Sequence, residues 1–110
     1  MKLADLPTGV TEWSSLSAVS QAGATGMATI RSRQFGDMQL RLVTYSPGYL
    51  ADHWCHKGHI VFVVEGTATI EHEDGRRYEL VAGTTYHVPD GERAPHRLSS
   101  REGASVFILD

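Results

Sequence analysis

The sequence predicts an all-β domain, and three observations support this prediction. From Ala28 onward, short segments rich in β-branched and aromatic residues follow one another. Gly, Pro and Asp separate them every eight to twelve residues or so, which is typical of a β-sandwich or barrel. No segment of about ten or more residues after Ala28 keeps a helical period. The 110 residues are expected to form one domain around a single core.

The chain before Ala28 has a different character. Residues 1–27 are small and polar, and we expect an N-terminal arm or lead-in segment there, with the β-domain spanning residues 28–110. Trp13, Leu16 and Val19 are spaced by three, which suits one short helical turn. A lead-in strand is an equal alternative.

Nine strands are predicted between the turn residues. They are Ala28–Gln34, Met38–Ser46, Tyr49–Trp54, His59–Val64, Thr67–Glu73, Arg76–Val81, Thr85–Val88, His96–Ser100 and Ala104–Leu109. Asp74-Gly75 is expected to form a type I′ hairpin turn. The segment His59–Val64 is apolar on both faces, which predicts a strand buried on both sides in a small barrel.

Composition and charge exclude several classes of function. A net charge of -3 argues against a nucleic-acid surface. No apolar run is long enough for a membrane span, and Met1–Asp5 lacks the features of a signal peptide. The single cysteine excludes an intrachain disulfide, so the cytoplasm is the expected compartment.

The histidines and the cysteine are not spread evenly along the chain. His53, Cys55, His56 and His59 lie close together. On a strand, His53 and Cys55 share a face, and the Gly-containing turn that follows delivers His59 to the next strand. Imidazole and thiolate are ligands that zinc and the late first-row transition metals prefer. This cluster therefore predicts the nucleus of a metal site.

The chain resembles a small single-domain cupin. The first motif of that superfamily, Gly-x5-His-x-His-x(3,4)-Glu-x6-Gly, is similar to residues 48–66, where His53 and Gly66 match. Cys55 stands in place of the second histidine and His59 near the position of the glutamate.

The second cupin motif, Gly-x5-Pro-x-Gly-x2-His-x3-Asn, is similar to residues 83–96, with matches that include Pro89 and His96. Two extra residues precede the histidine, and Ser100 replaces the asparagine. The string Asp52–His59 also resembles a subgroup of bacterial cupins named for an Asp-His-Cys-Trp motif.

This resemblance implies a small double-stranded β-helix, the jelly-roll-like cupin barrel, with one divalent transition metal ion per chain and a homodimeric assembly. The implied ligands are His53, Cys55, His59 and His96. Because a set of three histidines and a cysteine is softer than the usual three histidines and a glutamate, zinc is favoured over iron, nickel or copper. Four ligands would close a structural zinc site, whereas an open position would permit catalysis.

Three side chains are expected to contact a substrate: Arg41, Tyr45 and Tyr86. Arg41 has the alternative of an outward ion pair. Among the remaining histidines, His56 is expected to face solvent or support a ligand, and His72, beside the hairpin turn, to lie on the surface. His87 is expected to be an ordinary strand histidine.

Two functional hypotheses follow. The first is a metal-dependent enzyme of the oxygenase, isomerase or lyase type that acts on a small polar molecule. The second is a non-catalytic binding or sensing module with a structural metal. The sequence assigns no catalytic residue. Both hypotheses expect a small-molecule ligand, no nucleic acid and no membrane.

Overall fold

The computed structural model describes residues 3–110 and confirms the all-β prediction. Its strands are β1 Val19–Ala22, β2 Met27–Phe35, β3 Met38–Tyr45, β4 Tyr49–Leu50, β5 His59–His72, β6 Arg77–Val81, β7 Thr85–Val88, β8 His96–Ser100 and β9 Ala104–Leu109. One 3-10 turn, Trp13–Ser15, precedes them, and the described residues contain no α-helix. The last three strands begin and end at the predicted residues.

All strand pairs are antiparallel and form a curled sheet in the order β1-β2-β3-β9-β5-β8-β4. β6 and β7 also pair with β5. The curled sheet folds into two layers, and β5 belongs to both, since it pairs with β7 and β9 in one layer and with β6 and β8 in the other. Two predicted strands, His59–Val64 and Thr67–Glu73, are one continuous strand in the structure.

A β-bulge divides β5 into two halves that face the core with opposite alternation. Val63 pairs with Val106 and Glu65 with Ser105, so β5 has one extra residue at this point. Before the bulge the odd-numbered side chains are buried, and after it the even-numbered ones are. The largest fully buried apolar side chains are Ile70, Val43, Val61, Val63 and Val106. The core thus lies between the two layers, with β5 at its centre.

The N-terminal segment contains a 3-10 turn and a short strand. Trp13 lies in the 3-10 turn, and its ring packs edge-on against Phe107 at 6.3 Å. Val19 begins β1, which pairs with β2 at the edge of the sheet. The guanidinium of Arg31 donates a hydrogen bond to the Leu16 carbonyl, which holds the intervening chain on the sheet.

The predicted type I′ turn at Asp74-Gly75 is wrong. Only Gly75 has a positive φ, of 98°. The Gly75 amide bonds to the His72 carbonyl, and the His72 amide bonds to the Arg76 carbonyl. This is a three-residue loop, which requires a left-handed residue only at its last position. Asp74 itself does not adopt a positive φ, and its carboxylate accepts a hydrogen bond from the Arg76 amide.

The prediction that His59–Val64 is buried on both faces is also wrong. Ile60, Phe62 and Val64 remain 44%, 39% and 50% exposed on the outer face of β5. The N-terminal segment covers neighbouring β9 at Phe107 instead. The outer side of this part of the sheet is therefore an exposed apolar stripe, formed by Ile60, Phe62 and Val64.

No helix among residues 3–110 has the length and apolar character needed to cross a membrane.

The close backbone packing at Gly66, next to the bulge, predicts that adding a single methyl group there strongly destabilises the fold. Gly66 has φ +80°, and a Cβ there would overlap the backbone carbonyl oxygen of Gly103. We expect Gly66→Ala to lower the free energy of unfolding by about 3 kcal/mol or more, because backbone cannot move aside as a side chain can. Urea denaturation measures this change.

The matched control is Gly36→Ala, where φ is +62° but an added Cβ would meet nothing within 4 Å. It should cost only about 1–2 kcal/mol of left-handed strain. Equal losses in the two variants would contradict the close packing of β5 on the β8–β9 turn.

Candidate metal centre

Three of the four predicted ligands meet inside the barrel. A ligand atom from each of Cys55, His59 and His96 lies within 4.8 Å of the other two. The Nε2 atoms of His59 and His96 are 3.0 Å apart. Two imidazoles and a thiol thus converge on one point, which is a donor set compatible with a divalent metal.

Backbone pairing brings these residues together although they are distant in sequence. Cys55 and His96 form an isolated antiparallel bridge, with the Cys55 amide 2.7 Å from the His96 carbonyl and the reverse bond at 3.1 Å. His59 begins β5, whereas His96 begins β8 opposite His72 at the other end of β5, and the two rings meet inside the curled sheet with their centroids 4.8 Å apart. The backbone pairing thus joins the loop before β5 to the start of β8.

The hydrogen bonds of His96 determine which of its nitrogens is available. Its Nδ1 lies 2.9 Å from the Ala94 carbonyl, and since a carbonyl can only accept, Nδ1 carries the proton. The Nε2 lone pair of a neutral His96 therefore points at Nε2 of His59. Two such lone pairs repel at this distance unless a proton or a cation lies between them.

Electrostatics favour the metal-binding forms of two of these groups. The hydrogen bond with His96 holds the pKa of Cys55 below its ordinary value. Burial, aided by His96 and Arg41, lowers the pKa of His59 to about 4, so its ring is neutral at pH 7. Burial acts to lower the pKa of His96 as well, but the bonds with Cys55 and Ala94 raise it overall. Thiolate and neutral imidazole are the forms that bind metals.

His53 lies outside this cluster in the structure. Its side chain is 69% exposed, and its Nδ1 lies 2.7 Å from the Asp52 carboxylate in the loop before β5. The exposed ring of His56 lies against Glu92 at 3.2 Å.

The prediction that His72 lies on the surface is wrong, because this residue is only 4% exposed. Its Nε2 lies 2.7 Å from the Tyr86 hydroxyl, and its ring centroid is 5.8 Å from that of His96. The alternation Ala68, Ile70, His72 was readable in the sequence as one buried face. Because Glu71 and Glu73 flank His72, the sequence instead suggested a surface position.

The three predicted substrate contacts occupy different surroundings. Tyr86 is buried and bonded to His72, and burial raises its pKa to about 12. Tyr45 is buried against the ring of Tyr49 at 4.6 Å, and burial raises its pKa. The guanidinium of Arg41 lies 2.8 Å from the Asp110 carboxylate.

Two cavities lie near the candidate site, and of the three predicted substrate contacts only Tyr86 lines either of them. One, of about 600 Å³, is lined by residues that include Lys57, His59, His87 and Asp110. The other, of about 270 Å³, is lined in part by His72, Tyr86 and Ala94. Both have Val88 in their walls, and the larger one, which has His59 in its wall, offers room for a small molecule beside one of the three converging donors.

Comparison with known families identifies the class of protein. The cupin domain model matches residues 41–110, which include all three converging residues and both motif regions. The chain therefore belongs to the cupin family. A comparison with curated proteins found no match.

Solved structures share this fold at low sequence identity. A predicted oxalate decarboxylase from Thermotoga maritima has a TM-score of 0.78 at 11% identity, over 92% of this chain and 96% of that one. A sugar phosphate isomerase of the cupin superfamily from Silicibacter pomeroyi has a TM-score of 0.74 at 15% identity, over 92% and 74% of the two chains. The polyketide cyclase RemF from Streptomyces resistomycificus has a TM-score of 0.74 at 20% identity, over 94% and 78%.

The buried contact between Tyr86 and His72 predicts a stability effect. We expect Tyr86→Phe to lower the free energy of unfolding by about 1–3 kcal/mol, because Nε2 of buried His72 loses its partner. Chemical denaturation measures this loss. Tyr49→Phe, on a half-buried ring, is the control and should stay within about 0.5 kcal/mol of wild type. A Tyr86→Phe protein as stable as the control would show that the hydroxyl–imidazole bond is not formed.

Proposed function

We propose that this protein is a metal-binding cupin in which Cys55, His59 and His96 hold one divalent transition metal ion, and that it is an enzyme acting on a small polar molecule. The observation that carries the proposal is the convergence of the three donor atoms within 4.8 Å. The chemistry of these residues fits a cation, because a metal ion can take the place of the proton that otherwise lies between the facing Nε2 atoms of the two histidines.

Zinc is the favoured ion, with iron, nickel and copper as alternatives. A thiolate beside two imidazoles is a softer set than the carboxylate-containing sites that suit manganese or magnesium. In a tetrahedral zinc site with Zn–N of about 2.05 Å, two nitrogens lie about 3.3 Å apart. The 3.0 Å separation of the histidine Nε2 atoms needs only a small adjustment to reach it.

The number of converging ligands supports catalysis over a structural role. Three protein ligands leave a coordination position for water or substrate, which is the pattern of catalytic zinc sites, whereas structural sites are closed by four. When bound in this way, a metal supplies a Lewis acid that polarises a carbonyl or lowers the pKa of water. An isomerase and a cyclase are named among the similar structures, and such a metal site could support reactions of these kinds.

The protein's own groups would bind and orient the small molecule. Tyr86 lines the 270 Å³ cavity, and its hydroxyl oxygen, held by the contact with His72, can accept a hydrogen bond from a bound molecule. Lys57, 57% exposed, adds a positive charge to the wall of the 600 Å³ cavity. Arg41 and Tyr45 are retained as substrate contacts in this proposal, with Arg41 acting from its ion pair with Asp110.

The proposal includes a cytoplasmic homodimer. A lone cysteine kept as a thiolate ligand suits a reducing compartment. The stripe of Ile60, Phe62 and Val64 on the outer face of β5 is an apolar surface that a second copy would cover. A monomeric mass in sedimentation equilibrium would contradict the dimer.

Zinc affinity, measured by competition with a chromophoric chelator, tests the ligand set. Cys55→Ser, His59→Ala and His96→Ala should each weaken binding by more than about a hundredfold, beyond what loss of a supporting contact costs. His87→Ala, at an exposed histidine on β7, is the matched control and should bind as wild type does.

His53→Ala distinguishes the two functions. With three ligands and an open position, this variant should stay within about tenfold of wild-type affinity, since that is the lower limit for loss of a supporting group. A loss as large as that of His96→Ala would mean that His53 closes a four-ligand site, which would favour the structural or sensing role. Wild-type protein that binds no transition metal would contradict the proposal altogether.

A further inference from the structure

A buried carboxylate lies behind one of the proposed ligands. Asp110 follows β9, and its backbone amide and carbonyl bond to the carbonyl and amide of Gln39 at 3.0 and 2.6 Å. Its side chain is only 1% exposed. The end of the sheet therefore fixes an anionic group inside the barrel, where an unpaired charge is costly.

Three groups that can carry or donate a proton face this carboxylate. Arg41 Nη2 lies 2.8 Å from Oδ2, Lys57 Nζ lies 3.4 Å from Oδ1, and His59 Nδ1 lies 3.6 Å from Oδ2. The short contact with Arg41 is a charge-assisted hydrogen bond. It anchors the carboxylate beside His59.

The same place holds three buried polar atoms without a hydrogen-bond partner among the described residues. They are Arg41 Nε, His59 Nδ1 and Asp110 Oδ1. Leaving such atoms unpaired is expensive, at about 1–3 kcal/mol each. His96 has no such deficit, because its Nδ1 already donates to the Ala94 carbonyl. The nearest acceptor for His59 Nδ1 is the Asp110 carboxylate at 3.6 Å, whereas the acceptor for His96 Nδ1 lies at 2.9 Å.

We propose that Asp110 is a positioning residue that accepts the Nδ1–H of His59 and so presents the Nε2 of His59 to the metal. This inference depends on the proposed metal site. A small rotation of the ring would close the contact, pair the orphaned nitrogen and place its proton on the side away from the metal. Carboxylates that hold metal-ligating histidines in this way raise the basicity of the ligand and fix its tautomer.

The tautomer of His59, observed by long-range ¹H–¹⁵N NMR, tests this inference without metal. In metal-free wild type the Asp110 carboxylate and the Nε2 of His96 compete for the proton of His59, so we expect the Nδ1–H form to be populated beside the Nε2–H form. Asp110→Ala should shift His59 toward the Nε2–H form, and Asp110→Asn, which keeps an acceptor oxygen but loses the charge, should lie between. Zinc affinity should fall by about tenfold or more in Asp110→Ala and by less in Asp110→Asn.

Lys57→Met is the control, because it removes a cation from the other carboxylate oxygen and should leave the His59 tautomer unchanged. Thermal unfolding of each metal-free variant reports any purely structural effect. If Asp110→Ala fails to fold, the near-isosteric Asp110→Asn decides the question by the same two readouts.

The failures of the two proposals are separate. An unchanged tautomer and unchanged zinc affinity in both Asp110 variants would overturn the role of Asp110 and leave the metal site standing. A wild-type protein that binds no zinc would overturn the metal site, and with it the metal-directed role of Asp110, whatever the tautomer.

Discussion

The bulge at Val63–Glu65 is the constraint on which the rest of the structure depends. One extra residue in β5 reverses the alternation of a 14-residue strand, so that its first and last residues, His59 and His72, both face the interior. Without it, one end of β5 would face solvent. Because β5 pairs with four other strands, the same bulge also sets the positions of β6, β7, β8 and β9. Both the fold and the candidate site therefore depend on this one bulge.

Around the converging donors, each buried imidazole has a polar group beside it. His96 donates to Ala94, His72 contacts Tyr86, and His59 faces Asp110. The carboxylate is balanced by Arg41, so the pair adds little net charge to the interior. A divalent ion at Cys55 would then meet a single thiolate and two neutral rings. In the proposed site the cation would therefore be incompletely neutralised, which would suit binding of a polar or anionic small molecule at a free coordination position.

Sequence reasoning succeeded where the information was local. The strand bounds of Thr85–Val88, His96–Ser100 and Ala104–Leu109 follow from turn residues and β-propensity, and the structure confirms them. Cys55, His59 and His96 were identified as candidate ligands by residue type and motif position, and these three do converge. The sequence did not predict that the segments on either side of Glu65-Gly66 form a single strand, because no local signal distinguishes a bulge there from a turn.

The features that were missed depend on contacts between distant parts of the chain. Asp110 is one of thirteen acidic residues in the sequence, and only the pairing of β9 with β3 places it against Arg41. The partner of His72 is also outside its own strand, since Tyr86 lies on β7, 14 residues further along the chain. The exposed position of His53 depends on the course of the loop before β5, which motif matching does not describe.

The central claim is that Cys55, His59 and His96 hold one metal ion, and X-ray absorption at the zinc K-edge tests it most directly. Protein loaded with one zinc ion per chain should show a single sulfur at about 2.3 Å and nitrogen or oxygen neighbours at about 2.0–2.1 Å, with imidazole scattering from two rings. A shell of nitrogen and oxygen alone, with no sulfur, would contradict the account, because it would place the ion away from Cys55.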